Sequence, residues 1–375
     1  MYEQEDLKSF GGAIQRLIQG QHLSREECYG LFCQILNNRQ PDLQQGAFLA
    51  ALVAKGETPE EIAGAWQAID ELDTIHARME PGEPLVENSG TGMDQLKTFN
   101  VSSAAAVVAA AGGVRIARHG ARALTSVCGA VDILEALGIE VEGDVPLVAR
   151  SIEQAGIGIF NGMSPQVHPR ALGRILSQIR FGSTLNIAAS LAHPCRPTHA
   201  LRGVYAVEAL PKVAAVMREI GYRRGMVVHG FDDLREKGMD ELSVLGPTRI
   251  LEFFPEGSTR EYEIVPEEFG LARVPYECVA PLPDRSQEAV RFLQVLAGAG
   301  HPACVDFVCL NAGAVLYVAG RAESLGAGVR RSYDLIGGGQ ALKKLAAWVA
   351  VQQGPAQEGV RRLEDLLASA GLRIH

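Results

Sequence analysis

Asp240 and Glu241 stand side by side in "GMDELS". Adjacent carboxylates on a loop suit Mg²⁺, which takes one or two carboxylates and completes its octahedron with water and phosphate oxygens. A second stretch, "ENSGTGMDQLKTFNVSSAAAV" (residues 87–107), sets Gly90, Gly92, Asp94 and the hydroxyls of Thr98, Ser102 and Ser103 directly ahead of an alanine-rich helical run. The two glycines let backbone N–H groups approach a ligand that side chains would hold off. The helix opening near Asn100, Val101, Ser102 and Ser103 offers free N–H groups, a positive dipole end and two hydroxyls, which together make an anion site. In "RHGARALTSVCGAVD" (118–132), Arg118, His119, Gly120, Arg122, Thr125 and Ser126 share one loop, a composition suited to phosphate or ribose recognition. A hydrogen bond to a charged oxygen contributes ~1.5–3 kcal/mol, so four or five hold a polyphosphate firmly. Plainer readings stand beside these. Ser102 would serve as a simple cap, His119 as a structural histidine, and Asp232, Asp233, Asp240 and Glu241 as a solvated acidic face.

The elements that must position these groups fall into two textures. Residues 8–77 read as helices with short breaks. Ser24 with Glu27 has capping-box spacing, and Thr58, Pro59 and two acids open "TPEEIAGAWQAIDEL". After Pro81 short apolar runs such as "MVVHG" and "YEIV" alternate with helical ones, which predicts an α/β domain with a mostly parallel central sheet. The expected organisation is a small all-helical domain over 1–78, joined by helices from about 164–196, and an α/β domain over 79–375.

The bulk composition narrows the function. A formal net charge of −9 opposes a large nucleic-acid footprint. Seven cysteines without CxxC spacing argue against a disulfide framework and a zinc site, and predict reduced thiols in a cytoplasmic protein. The start, "MYEQEDLKSF", lacks the apolar core of a signal peptide, and the most apolar runs are too short and interrupted to span a bilayer.

Taken in order, these segments resemble the anthranilate phosphoribosyltransferase family. "GTGMDQLKTFNVSS" is similar to its GTGGD…FN[IV]ST signature and "RHGARALTSVCGAVDILEALGI" to KHGNR…SGSADxLEALG. "GMDELS" is similar to GMDE[VL]S and "LNAGAVLYVAGRAESLGAGV" to LNAGAALYVAGKA, while "LSREECYGLFCQIL" and "AFLAALVAKGETPEEIAGA" resemble the N-terminal helices. The resemblance covers nearly the whole chain. It implies a homodimer whose protomers carry an active site in a cleft between the domains, and an activity of the tryptophan-biosynthesis type. Phosphoribosyl pyrophosphate (PRPP) and Mg²⁺ would bind the α/β side. The aromatic acceptor, anthranilate or a related compound, would arrive from the helical side. Carried over, Gly90, Asp94, Thr98, Asn100, Ser102 and Ser103 would hold PRPP, with Met93 and Val101 in the same segment. Arg118, His119, Gly120, Arg122, Thr125 and Ser126 would line pyrophosphate and ribose, and Ser102, Asp240 and Glu241 would face magnesium. No nucleophile–base triad is expected, because this chemistry rests on electrostatics and alignment.

The departures from the pattern have a direction. Met93 replaces the second glycine of GTGG, Arg118 the loop lysine and Ala130 a serine. Ala121 stands where the family keeps an asparagine near the acceptor, and Ala189 with Ser190 replaces its glycine–proline. Arg174, then Arg180, is the nearest candidate for an acceptor-carboxylate arginine, and an extra "FDDLREK" follows His229–Gly230. The donor half is kept and the acceptor half rewritten. Two alternatives follow from that: a non-catalytic relative that binds nucleic acid or a protein, and a nucleoside-phosphorylase-like enzyme, although the phosphate signature expected of the latter is missing.

Overall fold

The computed structural model describes residues 4–80, 82–92, 94–123, 128–179, 181–354 and 357–374. Met93, Thr125, Ser126 and Arg180 lie outside them. The chain opens with helices α1 (Gln4–Ile18), α2 (Arg25–Leu36), α3 (Asp42–Lys55) and α4 (Pro59–Asp73). Ser24 and Thr58 cap α2 and α4, each in a reciprocal box with the glutamate three residues on, Glu27 and Glu61. These caps supply partners for N–H groups that a helix start leaves unpaired.

The chain then enters β1 (Leu85–Gly90), α5 (Val101–Ala111), β2 (Arg115–Gly120), α6 (Ala130–Ala136), α7 (Val145–Ala155) and β3 (Ile157–Asn161). Two short helices follow, α8 (Leu172–Gln178) and α9 (Thr184–Leu191), and then β4 (His199–Gly203), α10 (Ala209–Glu219) and β5 (Arg224–Phe231). The two-residue β6 (Gly238–Met239) turns back on β5, ahead of β7 (Thr248–Phe253) and β8 (Thr259–Ile264). Helices α11 (Arg285–Leu296), α12 (Pro302–Val318), α13 (Leu325–Gly337), α14 (Gln340–Val351) and α15 (Glu358–Ser369) complete the fold. No helix among the described residues is long and apolar enough to cross a membrane.

Contacts divide the chain into two compact units. One comprises residues 1–76, 162–196 and 211–221, and the other the remainder. Within the helical unit Asp73 does much of the joining. Its buried carboxylate accepts from the backbone N–H groups of Arg170, Ala171 and Leu172 at 2.5–2.9 Å, and so pins the start of α8 to the end of α4.

In the α/β unit the sheet runs β3-β2-β1-β4-β5-β7-β8, with β6 paired to β5. Strands β3, β2, β1, β4 and β5 are parallel; β7 and β8 run antiparallel at one edge. The core packs α5 and α12 against each other, and both are apolar nearly all round, as helices buried on every side must be. The strand order reverses between β1 and β4. In open α/β sheets the crevice beyond the carboxyl ends of such strands is where ligands bind.

Asp73→Ala is expected to lower stability by about 3 kcal/mol, because two of the three donors it leaves unpaired are buried. Asp73→Asn, which keeps an acceptor, should lose less. Urea denaturation of both variants checks the order.

Candidate active site

Strands β1 and β4 end side by side at Gly90 and Gly203, which are register partners. The Asp240 segment crosses directly over both. A Cβ on Gly203 would run into the Asp240 backbone carbonyl, and one on Gly90 into the Asp240 carboxylate. Close approach of backbone therefore requires glycine at Gly203, while at Gly90 the missing side chain makes room for the Asp240 carboxylate. Gly92 is required for a different reason: its φ of 68° lies in the left-handed region. That turn aims its N–H at Asp240 Oδ2, 2.8 Å away.

The other side of the crevice is the start of α5. Asn100 occupies the cap position, but its side chain does not cap the helix; its Nδ2 donates to Cys128 O at 3.3 Å. The first N–H groups of α5 are thus left without a side-chain cap. Asn88 Nδ2 holds the Ser102 carbonyl at 2.8 Å, which fixes the helix start to β1. Thr98 turns its hydroxyl onto the Phe99 carbonyl.

Asp94, Asp240 and Glu241 converge here, with oxygens from all three within 4.8 Å of one another. Each backbone support is visible. Gly238 O accepts from Gln95 and Leu96 N–H at 3.2 and 3.0 Å and so fixes the segment after Asp94. Asn311 on α12 grips Leu242 from both sides: Oδ1 accepts its N–H and Nδ2 donates to its carbonyl, each at 3.0 Å. That clamp sits next to Glu241.

Burial, then the negative charge of Asp240, pushes Asp94 up to about 6. Burial, then Asp240 and Asp94, pushes Glu241 well above the usual carboxylate range. Glu241 Oε2 is sealed from solvent with no hydrogen-bond partner among the described residues. Three acids crowded together with an orphaned oxygen fit a hard divalent cation that takes oxygen ligands, and Mg²⁺ is such an ion. Asp94, Asp240 and Glu241 would hold it.

The residues expected on the pyrophosphate and ribose are placed differently from one another. Gly120 ends β2, and His119 beside it is buried. Arg118 is buried too, with 3% exposure; it donates to the Ser103 hydroxyl and faces Glu87 and Glu241. Burial pulls it down to about 10 against the pull of those acids. Arg122 is held by Asp132, Glu135 and Glu142 at 3.2, 2.9 and 3.0 Å. Ala121 is exposed in the same loop, which Asp132 organises by accepting from Ala123 and Gly129 N–H. Arg174 belongs to the helical unit, where Ile35 O and Gln45 engage its guanidinium beside a cavity of about 250 Å³.

Three features escape a reading of motifs. Lys97 donates to Asp94 Oδ1 at 2.6 Å. Asn311 lies inside the "LNAG" stretch without any sign of its clamp on Leu242. Beneath the crevice, Glu87 and Arg202 form an ion pair at 3.3 Å with neither side chain exposed, and Ser89 bridges them.

This fold and this crevice are those of a glycosyl transferase. Residues 12–72 match the helical bundle domain of the glycosyl transferase family and residues 82–342 its α/β domain. The chain is 37% identical to an anthranilate phosphoribosyltransferase of Methanopyrus kandleri over 88% of its own length and 97% of that protein's. It is 38% identical to one from Brevibacillus brevis, over 89% and 95%. The crystal structure of the Thermus thermophilus enzyme superposes with a TM-score of 0.81 at 33% identity, covering 91% of this chain and 99% of that one. A Saccharomyces cerevisiae anthranilate phosphoribosyltransferase in complex with PRPP and Mg shares the fold, with a TM-score of 0.79 at 21% identity over 92% and 98%. The chain belongs to the anthranilate phosphoribosyltransferase family.

Two outcomes are expected. Gly90→Ala should displace only the Asp240 carboxylate, leaving the melting temperature little changed while weakening its rise on adding Mg²⁺; Gly203→Ala, which meets backbone, should lower the melting temperature itself. The second concerns pH. Asp94 binds its proton more tightly in the folded state than in the unfolded one, so its contribution to stability is present at low pH and fades as pH rises from about 4 through about 6. Metal binding needs the deprotonated form. The Mg²⁺-induced rise in melting temperature should therefore be small at about pH 5 and large at about pH 8.

Proposed function

We propose that this protein is a Mg²⁺-dependent phosphoribosyltransferase that moves phosphoribosyl from PRPP to a small aromatic amine, anthranilate or a related compound, as in tryptophan biosynthesis. The observation that carries this reading is the convergence of Asp94, Asp240 and Glu241 on a glycine-floored crevice at the switch point of the sheet. Its homodimeric state and its cytoplasmic location belong to the same proposal.

In the reaction the bond from ribose C1 to the pyrophosphate oxygen breaks, the amine nitrogen bonds to C1 and then sheds a proton, and pyrophosphate leaves with the bond's electron pair. Bound Mg²⁺ supplies neutralisation of the charge gathering on pyrophosphate. The chain's own residues do the rest. The free N–H groups at the start of α5, with the hydroxyl of Ser102, donate to phosphate oxygens. The Asn88 clamp keeps that helix end where the donors are useful, so they need no reorganisation as charge develops. Asp94, Asp240 and Glu241 would hold the cation, and Gly238 O and Asn311 fix the segments that carry these acids. Ser103 already accepts from Arg118, which orients its hydroxyl. No side chain has to act as a nucleophile.

On the acceptor side, Ala121 offers no polar group where the family keeps an asparagine, and Arg174 is engaged by Gln45 and Ile35 O. These are the departures on the acceptor side, and the acceptor stays within the class of anthranilate and related aromatic amines. The non-catalytic alternative gives no account of three acids that repel one another unless a cation joins them.

The combined variant Asp240→Asn with Glu241→Gln should lose Mg²⁺-dependent release of pyrophosphate from PRPP and amine by at least about a hundredfold while keeping its circular dichroism. Unchanged rates would remove the metal assignment, and calorimetry showing no PRPP binding with Mg²⁺ present would remove the transferase reading. Ala121→Asn should raise anthranilate turnover if the acceptor pocket has only lost that amide.

A further inference from the structure

Lys97 stands at the acids, and neither the anion-site pattern nor the resemblance assigns it. Its ammonium lies 2.6 Å from Asp94 Oδ1, and the side chains are 31% and 8% exposed. An ion pair between residues three apart on an open surface counts for little. This one differs in two ways. The acid is nearly sealed and has two further carboxylates within 4.8 Å, so the lysine charge serves a group of three acids. The lysine backbone is also pinned. Tyr276 donates its hydroxyl to Lys97 O at 2.7 Å, Gly238 O holds Gln95 and Leu96 before it, and Val279 O accepts from Phe99 N–H after it. Only the four-carbon arm is free to move.

We propose that Lys97 is an internal counter-ion that holds the cation position at Asp94 until Mg²⁺ arrives, and then swings to the diphosphate of the incoming substrate. This rests on the Mg²⁺ and PRPP reading of the site. The argument is electrostatic. A divalent ion on Asp94 and an ammonium hydrogen-bonded to the same carboxylate repel each other, so one must leave, and the lysine is tethered only by its arm. The charge that best receives it nearby is the diphosphate the metal brings with it. Metal alone must therefore compete with Lys97, whereas metal with diphosphate gives the lysine a new partner. By linkage, each ligand then tightens the other. The ammonium also lowers the proton affinity of Asp94 and of Glu241, so its field reaches both.

The test uses Mn²⁺ as a paramagnetic probe, with free ion read by electron paramagnetic resonance at about pH 8, above the range in which Asp94 takes up its proton. Wild type, Lys97→Met and Lys97→Arg are titrated with Mn²⁺ alone and with Mn²⁺ plus PRPP. Lys97→Met should bind Mn²⁺ alone about tenfold more tightly than wild type and lose about tenfold of the tightening that PRPP confers. Lys97→Arg, which keeps the charge, should stay close to wild type, and this separates loss of charge from damage to the loop. If Lys97→Met binds Mn²⁺ alone no better than wild type while wild type responds normally to PRPP, the counter-ion role is wrong and the metal site stands. If wild type takes up no Mn²⁺ even with PRPP, the metal reading falls and takes this proposal with it.

Discussion

Mutual repulsion among Asp94, Asp240 and Glu241 is the constraint around which the α/β unit is arranged. Like charges that close raise each other's proton affinity, and burial adds to the effect. A fold tolerates such a cost where the surroundings over-determine the geometry. Here the supports come from four separate places: the Gly92 N–H on Asp240, Gly238 O on the Asp94 segment, Asn311 on Leu242, and the bare floor of Gly90 and Gly203. The floor decides how deeply Asp240 sits, and the reversal of strand order between β1 and β4 decides that a floor exists there at all.

A second layer of charge lies below the first. Alternation along β1 sends Glu87 and Ser89 to one face and Asn88 to the other, where it holds Ser102 O. Ser89 pairs in register with Arg202 on β4, and Glu87 completes a fully buried pair with that arginine. Arg118 on β2 faces Glu87 from one side and Glu241 from the other. The two arginines outnumber Glu87, so the layer carries a positive surplus beneath the three acids. A buried ion pair is seldom a net gain in stability over apolar residues of similar size. The charge in this layer that reaches the acids above is Arg118, through Glu241, while Glu87 and Arg202 pair with each other.

The parts of this architecture legible in the sequence are those with local causes. The capping boxes at Ser24 and Thr58, the strand running into Gly90, and the helix opening after Asn100 all follow from residues adjacent in the chain. The alternation of strands and helices after Pro81 gives the mostly parallel sheet. What stayed hidden depends on residues far apart in sequence. Nothing near the glutamate and serine of "ENSG" announces that Arg202 will meet them in the core. Asn311 looks like one more residue of an apolar helix. The Lys97 contact had a local signal, an acid and a lysine three apart, but that spacing is common on surfaces and acquires meaning only beside Asp240.

The same distinction explains why the phosphate side of the site can be reasoned about more completely than the acceptor side. Phosphate and metal recognition use backbone N–H groups, carboxylates and tight glycine turns, whose physical demands leave a strict mark on short stretches of chain. An aromatic acceptor is recognised by shape and by a few polar groups, and many side-chain sets satisfy it. Arg122 shows the consequence. Its three carboxylate partners, Asp132, Glu135 and Glu142, hold the loop that carries Ala121, so the shape offered by that loop is set by acids on α6 and beyond it. A change of acceptor can thus arise from residues that never touch the acceptor. Substitutions at Asp132 or Glu135 would reshape the loop as surely as one at Ala121, while the acids that hold the cation, anchored by Gly238 and Asn311, would keep their geometry.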